Sequence, residues 1–179
     1  MIYYDVIMSG FGGQGILLIG NLLSYAAISE GKEVSFFPAY GVEMRGGTAN
    51  CTVVISDKEI GSPVVGSPLS AIIMNAPSYE KFYQKVKEGG AAVINTSLIT
   101  IFEKRKDINT VLIPANEIAA KIVDVKLASM VALGAYVKKT RVVSIDSLIQ
   151  NLKNVISSRN LKYLPLNEKA LLAGYEYVK

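Results

Sequence analysis

Histidine and tryptophan are absent from the 179-residue sequence, and cysteine occurs once, as Cys51. Without histidine, the chain cannot form a Ser-His-Asp triad or a Cys-His dyad from its own residues. A single cysteine excludes a disulfide within the chain, and the lack of histidine also excludes the usual zinc sites. We therefore expect no catalytic residue and no metal site in this chain. Cys51 stands in a run of β-branched residues, so it is interpreted as a small buried apolar residue.

Long apolar runs and basic clusters are also scarce. No stretch reaches the roughly 20 uninterrupted apolar residues of a membrane helix, because glycines and polar residues interrupt the uncharged segment 6–29. The amino terminus lacks the cationic region of a secretory signal. The longest basic run, Lys104–Lys106, lies between Glu103 and Asp107 and has no interleaved aromatic residues. The sequence thus predicts a cytoplasmic protein that binds neither membrane nor nucleic acid.

Half of the residues are apolar, which is enough for one domain with a sizeable core. Short apolar or β-branched runs predict strands at 5–9, 34–37, 48–56, 71–74, 91–95 and 110–114. Helices are predicted at 16–29, 79–87, 115–123, 128–138, 145–157 and 168–177. This alternation predicts an α/β, Rossmann-like layered fold over a single domain, residues 1–179, with a mainly parallel but mixed sheet flanked by helices. Because no helix is predicted between Pro38 and Pro68, some strands there are expected to form an antiparallel hairpin at one edge.

Three boundary residues and one helix carry more specific expectations. Pro38 is expected to end the second strand, and Ser78 and Asn167 are expected to cap the helices that follow them. The helix 16–29 is apolar at nearly every position. A helix without a polar face must be covered on all sides, so we expect another protein to cover part of it.

A glycine turn separates the first strand from the first helix. It has Gly-x-Gly-x-x-Gly spacing and contains the candidate residues Gly10, Gly12, Gly13, Gln14 and Gly15. Glycines let an anion approach the backbone amides at a helix start, so the turn is a candidate cofactor-binding or subunit-facing segment. The residues after Gly15 are not the Lys-Ser/Thr of a nucleoside triphosphate loop, and no carboxylate ends the second strand as a dinucleotide site requires. The alternative is a tight turn that binds nothing, in which Gln14 bonds the turn itself rather than a ligand or a neighbouring chain.

A second segment combines glycines with charged residues. It contains the candidate residues Tyr40, Gly41, Glu43, Arg45, Gly46 and Gly47. An arginine followed by two glycines offers a bidentate donor beside exposed amides, which suits an anion or a partner's carboxylate. The alternative is a surface loop with a Glu–Arg pair worth under about 1 kcal/mol.

Together, these two segments resemble the gamma subunit of 2-oxoacid:ferredoxin oxidoreductases. The resemblance rests on Gly10–Gly15 and Tyr40–Gly47, followed by Thr48–Asn50 and Ile60–Pro63. It is strongest to the 2-oxoglutarate type, within the wider pyruvate/ketoisovalerate oxidoreductase gamma family, and it extends over essentially the whole chain. Further matching segments follow in the family's order: Asn75–Ser78, Gly89–Gly90, Asn95–Ser97 and Leu133–Ala135. One departure is Ser129, where the family has an asparagine.

The resemblance implies an enzyme that oxidatively decarboxylates a 2-oxoacid, forms an acyl-CoA and reduces ferredoxin. It implies that thiamine diphosphate, Mg2+ and [4Fe-4S] clusters lie in partner subunits (alpha, beta and, in some complexes, a ferredoxin-like delta), with coenzyme A as co-substrate. This chain is then a scaffold on the coenzyme A side, since one cysteine cannot hold a four-cysteine cluster. By match to the family, the two glycine-containing segments face either another subunit or the coenzyme A channel.

Two other interpretations of the same residues stay open at this point. One is a free-standing Rossmann-type nucleotide-binding oxidoreductase, which would explain the glycine turn but not the missing ribose carboxylate. The other is an interaction module that binds no ligand.

Overall fold

The computed structural model describes residues 2–40 and 48–179. Its strands are β1 (Tyr3–Phe11), β2 (Glu33–Tyr40), β3 (Thr48–Ser56), β4 (Ser70–Ile73), β5 (Ala91–Asn95) and β6 (Asn109–Ile113). They form a six-stranded sheet in the order β2-β3-β1-β4-β5-β6. β1, β4, β5 and β6 run parallel, whereas β3 is antiparallel to both β1 and β2. The α/β fold, the mixed and mainly parallel sheet, and the hairpin at one edge are therefore confirmed.

The helices of the described residues cover the two faces of the sheet unequally. They are α1 (Ile16–Ser29), α2 (Ala76–Phe82), α3 (Ala115–Ile122), α4 (Ala128–Thr140), α5 (Ile145–Val155) and α6 (Leu164–Tyr177). Successive residues of β1 point to opposite faces, so Met8 lies in the larger apolar core and Ile7 in a smaller one. The larger core includes residues of α1, α3, α4, α5 and α6, whereas the smaller core includes Phe82 of α2.

The neighbouring strands β1 and β4 are followed by helices on opposite faces. α1 follows β1 into the larger core, and α2 follows β4 into the smaller one. In open α/β sheets, the carboxyl ends of two such strands border the crevice in which ligands bind. The topology therefore directs attention to the glycine turn at the end of β1.

Helices α4 and α6 approach closely at two glycines. A Cβ atom on Gly134 would overlap the carbonyl oxygen of Leu171, and a Cβ atom on Gly174 would overlap the carbonyl oxygen of Val131. These positions admit no side chain because the neighbouring atoms belong to the backbone of the opposite helix. The backbone contact between α4 and α6 helps to hold the helix layer together.

The second strand is longer than the sequence predicts. β2 continues through Pro38, which pairs in register with Cys51, and ends at Tyr40. The prediction that Pro38 ends the strand is wrong. β2 lies at the edge of the sheet and needs hydrogen bonds on one side only, so the missing amide hydrogen of proline is tolerated there.

Two predicted helix caps are also wrong. Asn75, not Ser78, caps α2: its side-chain oxygen accepts a hydrogen bond from the Ser78 amide at 2.9 Å, and the helix begins at Ala76. Asn167 lies inside α6, where its side-chain nitrogen donates to the carbonyl of Tyr163 at 2.8 Å. In both cases an earlier residue starts the helix, because Pro77 and Pro165 are suited to its first turn.

Helix α1 has the predicted bounds, Ile16–Ser29, and most of its apolar surface is covered by this chain. It packs against the sheet and against α5. Tyr25 and Ile28 stay exposed, at 44% and 57%. The expected cover by another protein therefore concerns only this outer side. None of the helices in the described ranges is long and apolar enough to span a bilayer.

Candidate functional site

The glycine turn lies at the carboxyl end of β1. Gly10 is still part of the strand, and Gly13 and Gly15 have φ angles of +90° and +78°. Only glycine adopts this left-handed region without strain, so the backbone path requires both residues. Gly12 and Gly13 are exposed to solvent. The turn thus presents bare backbone at the start of α1.

Gln14 closes the turn on itself. Its side-chain oxygen accepts a hydrogen bond from the backbone N–H of Phe11 at 2.6 Å, and the backbone N–H of Gln14 donates to the Phe11 carbonyl at 3.2 Å. A Cβ atom on Gly10 would lie 2.5 Å from the same side-chain oxygen, so glycine is needed to make room for it. Of the two roles considered for Gln14, the structure shows the internal one.

The amino end of α1 is suited to an anion. Gly15 is the N-cap residue, no side chain caps the helix, and no acidic residue lies in its first turn. The helix dipole places partial positive charge at this end, and a carboxylate in the first turn would have offset it. The turn therefore combines free approach to the backbone with a favourable field for negative charge.

The register of the hairpin brings the residues that flank the second candidate segment to the same edge of the sheet. Thr48 pairs with Phe11, while Ala49 pairs with both Gly10 and Tyr40. Thr48, which follows positions 41–47, therefore lies directly beside the glycine turn, and Tyr40, which precedes them, lies one strand further out. Of the predicted residues, Gly41, Glu43, Arg45, Gly46 and Gly47 are outside the described residues. The backbone of Tyr40 ends β2, and its side chain is likewise outside the description.

Ser129, the position that departs from the family pattern, touches the glycine turn. It is buried near the start of α4, and a Cβ atom on Gly15 would lie 2.7 Å from its hydroxyl oxygen. A side chain at Gly15 is thus opposed both by its φ angle and by Ser129. The amino ends of α1 and α4 meet at this point.

Asn75, which follows β4, adds a buried hydrogen-bond donor beside the glycine turn. It is 1% exposed, and within the described residues its side-chain nitrogen has no hydrogen-bond partner. The hydroxyls of Ser9 and Ser78 lie nearby in the fold and bond each other at 2.8 Å. Sequence reasoning did not single out this amide, although a polar residue directly after an apolar strand was the available signal. An acceptor oxygen from a bound group would satisfy it.

The carboxyl end of β5 is built differently. The side-chain oxygen of the fully buried Asn95 accepts hydrogen bonds from the amides of Ala115 at 3.1 Å and Ser97 at 3.3 Å. Its nitrogen donates to the Met74 carbonyl at 3.3 Å and to the side-chain oxygen of Asn116 at 2.9 Å. This amide ties β5 to β4 and to the start of α3. Because these hydrogen bonds are all made within the chain, Asn95 has a structural role rather than a ligand-binding one. We call this end of β5 the β5 corner.

Cys51 is not available as a nucleophile or as a metal ligand. It is fully buried under α1, and burial raises the pKa of its thiol to about 12. A Cβ atom on Gly20 would lie 2.6 Å from its sulfur, so the thiol fills the space below the helix. The interpretation of Cys51 as a small buried apolar residue is confirmed. Within residues 2–40 and 48–179 no three His, Cys, Asp or Glu side chains cluster as metal ligands would.

Comparison with known proteins assigns the chain to a family. The sequence profile of the pyruvate ferredoxin/flavodoxin oxidoreductase family matches residues 5–177. The chain belongs to this family. The family that the two glycine-containing segments indicate is thereby confirmed. In this family member, the candidate site described above lies at the carboxyl edge of the sheet, between β1 and its neighbours.

Relatives and a solved structure agree with the family assignment. Ketoisovalerate oxidoreductase subunit VorA of Methanothermobacter marburgensis is 36% identical over 96% of this chain, which spans only 36% of that relative. The 2-oxoglutarate synthase subunit KorC of Methanocaldococcus jannaschii is 33% identical, over 98% of this chain and 94% of that relative. The gamma subunit of a keto/oxoacid ferredoxin oxidoreductase from Geobacter sulfurreducens superposes with a TM-score of 0.83 at 29% identity, over 97% and 96% of the two chains.

Proposed function

We propose that this chain is the gamma subunit of a 2-oxoacid:ferredoxin oxidoreductase, an enzyme that oxidatively decarboxylates a 2-oxoacid, forms an acyl-CoA and reduces ferredoxin. The observation that carries the proposal is the match to whole subunits. The KorC relative and the Geobacter gamma subunit correspond to this chain over 94% and 96% of their own lengths. Residues 1–179 then act as one domain of the gamma type, in the cytoplasm.

In this proposal, the redox and carbanion chemistry belongs to partner subunits. The residues of this chain do not fit an iron–sulfur cluster, because the only cysteine is buried beneath α1 and such clusters use four. The chain also lacks histidine for proton transfer. Thiamine diphosphate, Mg2+ and [4Fe-4S] clusters are thus assigned to alpha and beta subunits, and to a ferredoxin-like delta subunit where the complex has one. This chain is a scaffold beside them.

We propose coenzyme A as the ligand of the glycine turn. Its phosphates would meet exposed backbone at Gly12 and Gly13 and the uncompensated amino end of α1. Asn75 supplies an unused buried donor at the same edge. Arg45 belongs to the segment flanked by Tyr40 and Thr48 beside the turn, and an arginine there would pair with a phosphate. Contact of the turn with another subunit alone is the alternative.

We propose 2-oxoglutarate as the 2-oxoacid. The named relatives include a 2-oxoglutarate synthase subunit and a ketoisovalerate oxidoreductase subunit, and the family description names pyruvate. Among relatives that this chain matches over nearly their whole length, the 2-oxoglutarate synthase subunit is 33% identical and a pyruvate/ketoisovalerate common subunit gamma of Thermococcus litoralis is 31% identical. The proposal of 2-oxoglutarate therefore rests on the resemblance of the two glycine-containing segments and on this small difference in identity. The substrate pocket itself is expected in a partner subunit.

The test is an assay of the complex purified anaerobically through a tag on this chain. We expect coenzyme A-dependent reduction of ferredoxin with 2-oxoglutarate, and less with pyruvate or 2-oxoisovalerate. The isolated chain should convert none of the three. Turnover by the isolated chain, or tight binding of NAD(H) to it in calorimetry, would instead support a free-standing nucleotide-binding oxidoreductase.

The variant Arg45→Ala tests the coenzyme A site within the same complex. Loss of a bidentate phosphate contact is expected to raise the apparent KM for coenzyme A about tenfold or more, with a smaller change in kcat. Lys104→Ala, in the basic run remote in sequence from both segments, is the control and should leave that KM unchanged. An unchanged KM in Arg45→Ala, with the complex intact, would assign the segment to subunit contact instead.

A further inference from the structure

An open apolar groove lies between the helices of the larger core. Its volume is about 560 Å3, and it is bordered by the start of α1, the 3-10 turn Val125–Leu127, the end of α5 and the start of α6. The apolar residues that line it are Leu18, Val123, Leu127, Val155, Ile156 and Leu166. We call this feature the apolar groove.

The rim of the apolar groove exposes large apolar side chains. Val123 is 56% exposed, Val125 51% and Tyr163 45%. From Leu18 in the groove, Tyr25 and Ile28 follow on the same side of α1, because their spacing of seven and three residues matches two turns and one turn. Residues 16–29 contain no charged side chain. We call Leu18, Tyr25 and Ile28 the α1 strip; Leu18 belongs to both the groove and the strip, and the half-buried Asn21 lies between Leu18 and Tyr25. Exposed apolar side chains grouped in this way mark an interaction site in soluble proteins.

The charges around this surface are mainly positive. Lys126 lines the groove, and Arg159 and Lys162 are exposed directly next in sequence to the lining residues Asn160 and Tyr163. The ammonium group of Lys162 lies 5.1 Å from the ring centre of Tyr163. The acidic residue lining the groove, Asp124, lies 3.7 Å from the ammonium group of Lys126. The surface therefore fits an apolar segment flanked by carboxylates. A second copy of this chain would bring the same cations opposite these ones, which disfavours self-association.

We propose that the apolar groove and the α1 strip dock the larger subunit of the oxidoreductase, an inference that rests on the proposed function. In KorC the matching region makes up nearly a whole polypeptide named as a subunit, whereas in VorA it makes up 36% of a longer one. Because the region is a separate subunit in one relative and part of a longer polypeptide in another, we expect it to pack against the rest of the enzyme in both. The apolar groove with its cationic rim provides such a contact surface.

The test uses tagged full-length chain expressed in its native cell. The larger subunit is identified by mass spectrometry through its match to the part of VorA-type relatives outside the shared region. Val123→Asp and Tyr163→Asp should each lower its recovery at least tenfold, because a carboxylate would be buried in an apolar contact. Val64→Asp, at a valine 71% exposed in the connection between β3 and β4, is the matched control and should recover wild-type amounts.

Photo-cross-linking makes the test independent of the folding of the charged variants. A benzophenone amino acid in place of Tyr163 should cross-link to the larger subunit, and one in place of Val64 should not. Equal recovery by Val123→Asp and wild type, or no cross-link from position 163, overturns the docking surface while leaving the proposed function intact. If the wild-type chain recovers no such subunit, the proposed function fails together with the docking surface. A dimer of the isolated chain that Val123→Asp abolishes, with unchanged recovery, would assign the surface to a second copy and overturn the proposal.

Discussion

The carboxyl ends of β1 and β5 each lie at the start of a helix, α1 directly after β1 and α3, which follows β6, beside the end of β5, and the two helix starts are built in opposite ways. At β1 the turn is made of backbone, with glycines at positive φ and no side-chain cap on α1. At β5 a single buried side chain, Asn95, accepts two backbone amides and donates to two oxygens. A corner closed by side chains has no groups left for an outside molecule. The comparison shows why the β1 end, not the β5 end, is the candidate site.

The largest effect is expected at the β5 corner, from Asn95→Ala. This change leaves the amides of Ala115 and Ser97 without their acceptor, and each buried polar group without a partner costs about 1–3 kcal/mol. We expect the free energy of unfolding of the chain, from urea titration, to fall by about 3 kcal/mol or more. Asn109→Ala, at an exposed asparagine, is the control and should change it by less than about 0.5 kcal/mol. Equal effects of the two variants would show that the corner is not structural.

An intermediate effect is expected at the β1 turn, from Gly15→Ala. The new methyl group meets both a positive φ and the hydroxyl of Ser129, whereas Gly13→Ala meets a positive φ with no atom within 4 Å. Gly13→Ala should cost about 1–2 kcal/mol, and Gly15→Ala should cost measurably more. The double variant Gly15→Ala/Ser129→Gly lacks the hydroxyl that the new methyl group meets. It should therefore regain only the part of the stability loss by which Gly15→Ala exceeds Gly13→Ala. Urea titration of all three checks this, and equal losses from the two single variants would contradict the contact with Ser129.

The smallest effect is expected from Gln14→Ala in the same turn. It removes one hydrogen bond to the amide of Phe11 at a solvent-exposed position, where water replaces the lost partner. We expect a loss of about 0.5–1 kcal/mol in the free energy of unfolding. Gln14→Glu keeps an acceptor oxygen and should stay close to wild type. A loss as large as that of Asn95→Ala would mean that the two corners do not differ as described.

The sequence predicts elements best where glycines mark their ends. Helix α1 has its predicted bounds because Gly15 and Gly31 stand at either side of a run that is apolar at most positions. Pro38 misleads because whether a proline ends a strand depends on that strand's place in the sheet, which sequence periodicity does not contain. The caps of α2 and α6 are misplaced because a proline in the first turn outweighs a serine or asparagine further along.

The candidate site is only partly readable from the sequence. The glycine turn is recognisable from spacing alone, and the structure shows why Gly10, Gly13 and Gly15 must be glycines. The proximity of the glycine turn to Thr48 depends on the register of the hairpin. The burial of the Asn75 side-chain amide depends on how α2 packs against the sheet. Both follow from contacts between residues far apart in the chain. The binding roles of these residues stay predictions.

The contact between α4 and α6 has a consequence for sequences related to this one. Gly134 and Gly174 each lie against the backbone of the opposite helix, so one added methyl group at either position forces the helices apart. Evolution should therefore preserve the two glycines jointly or exchange both within one lineage. Such paired inheritance would let this helix crossing be followed through uncharacterised genomes from alignments alone.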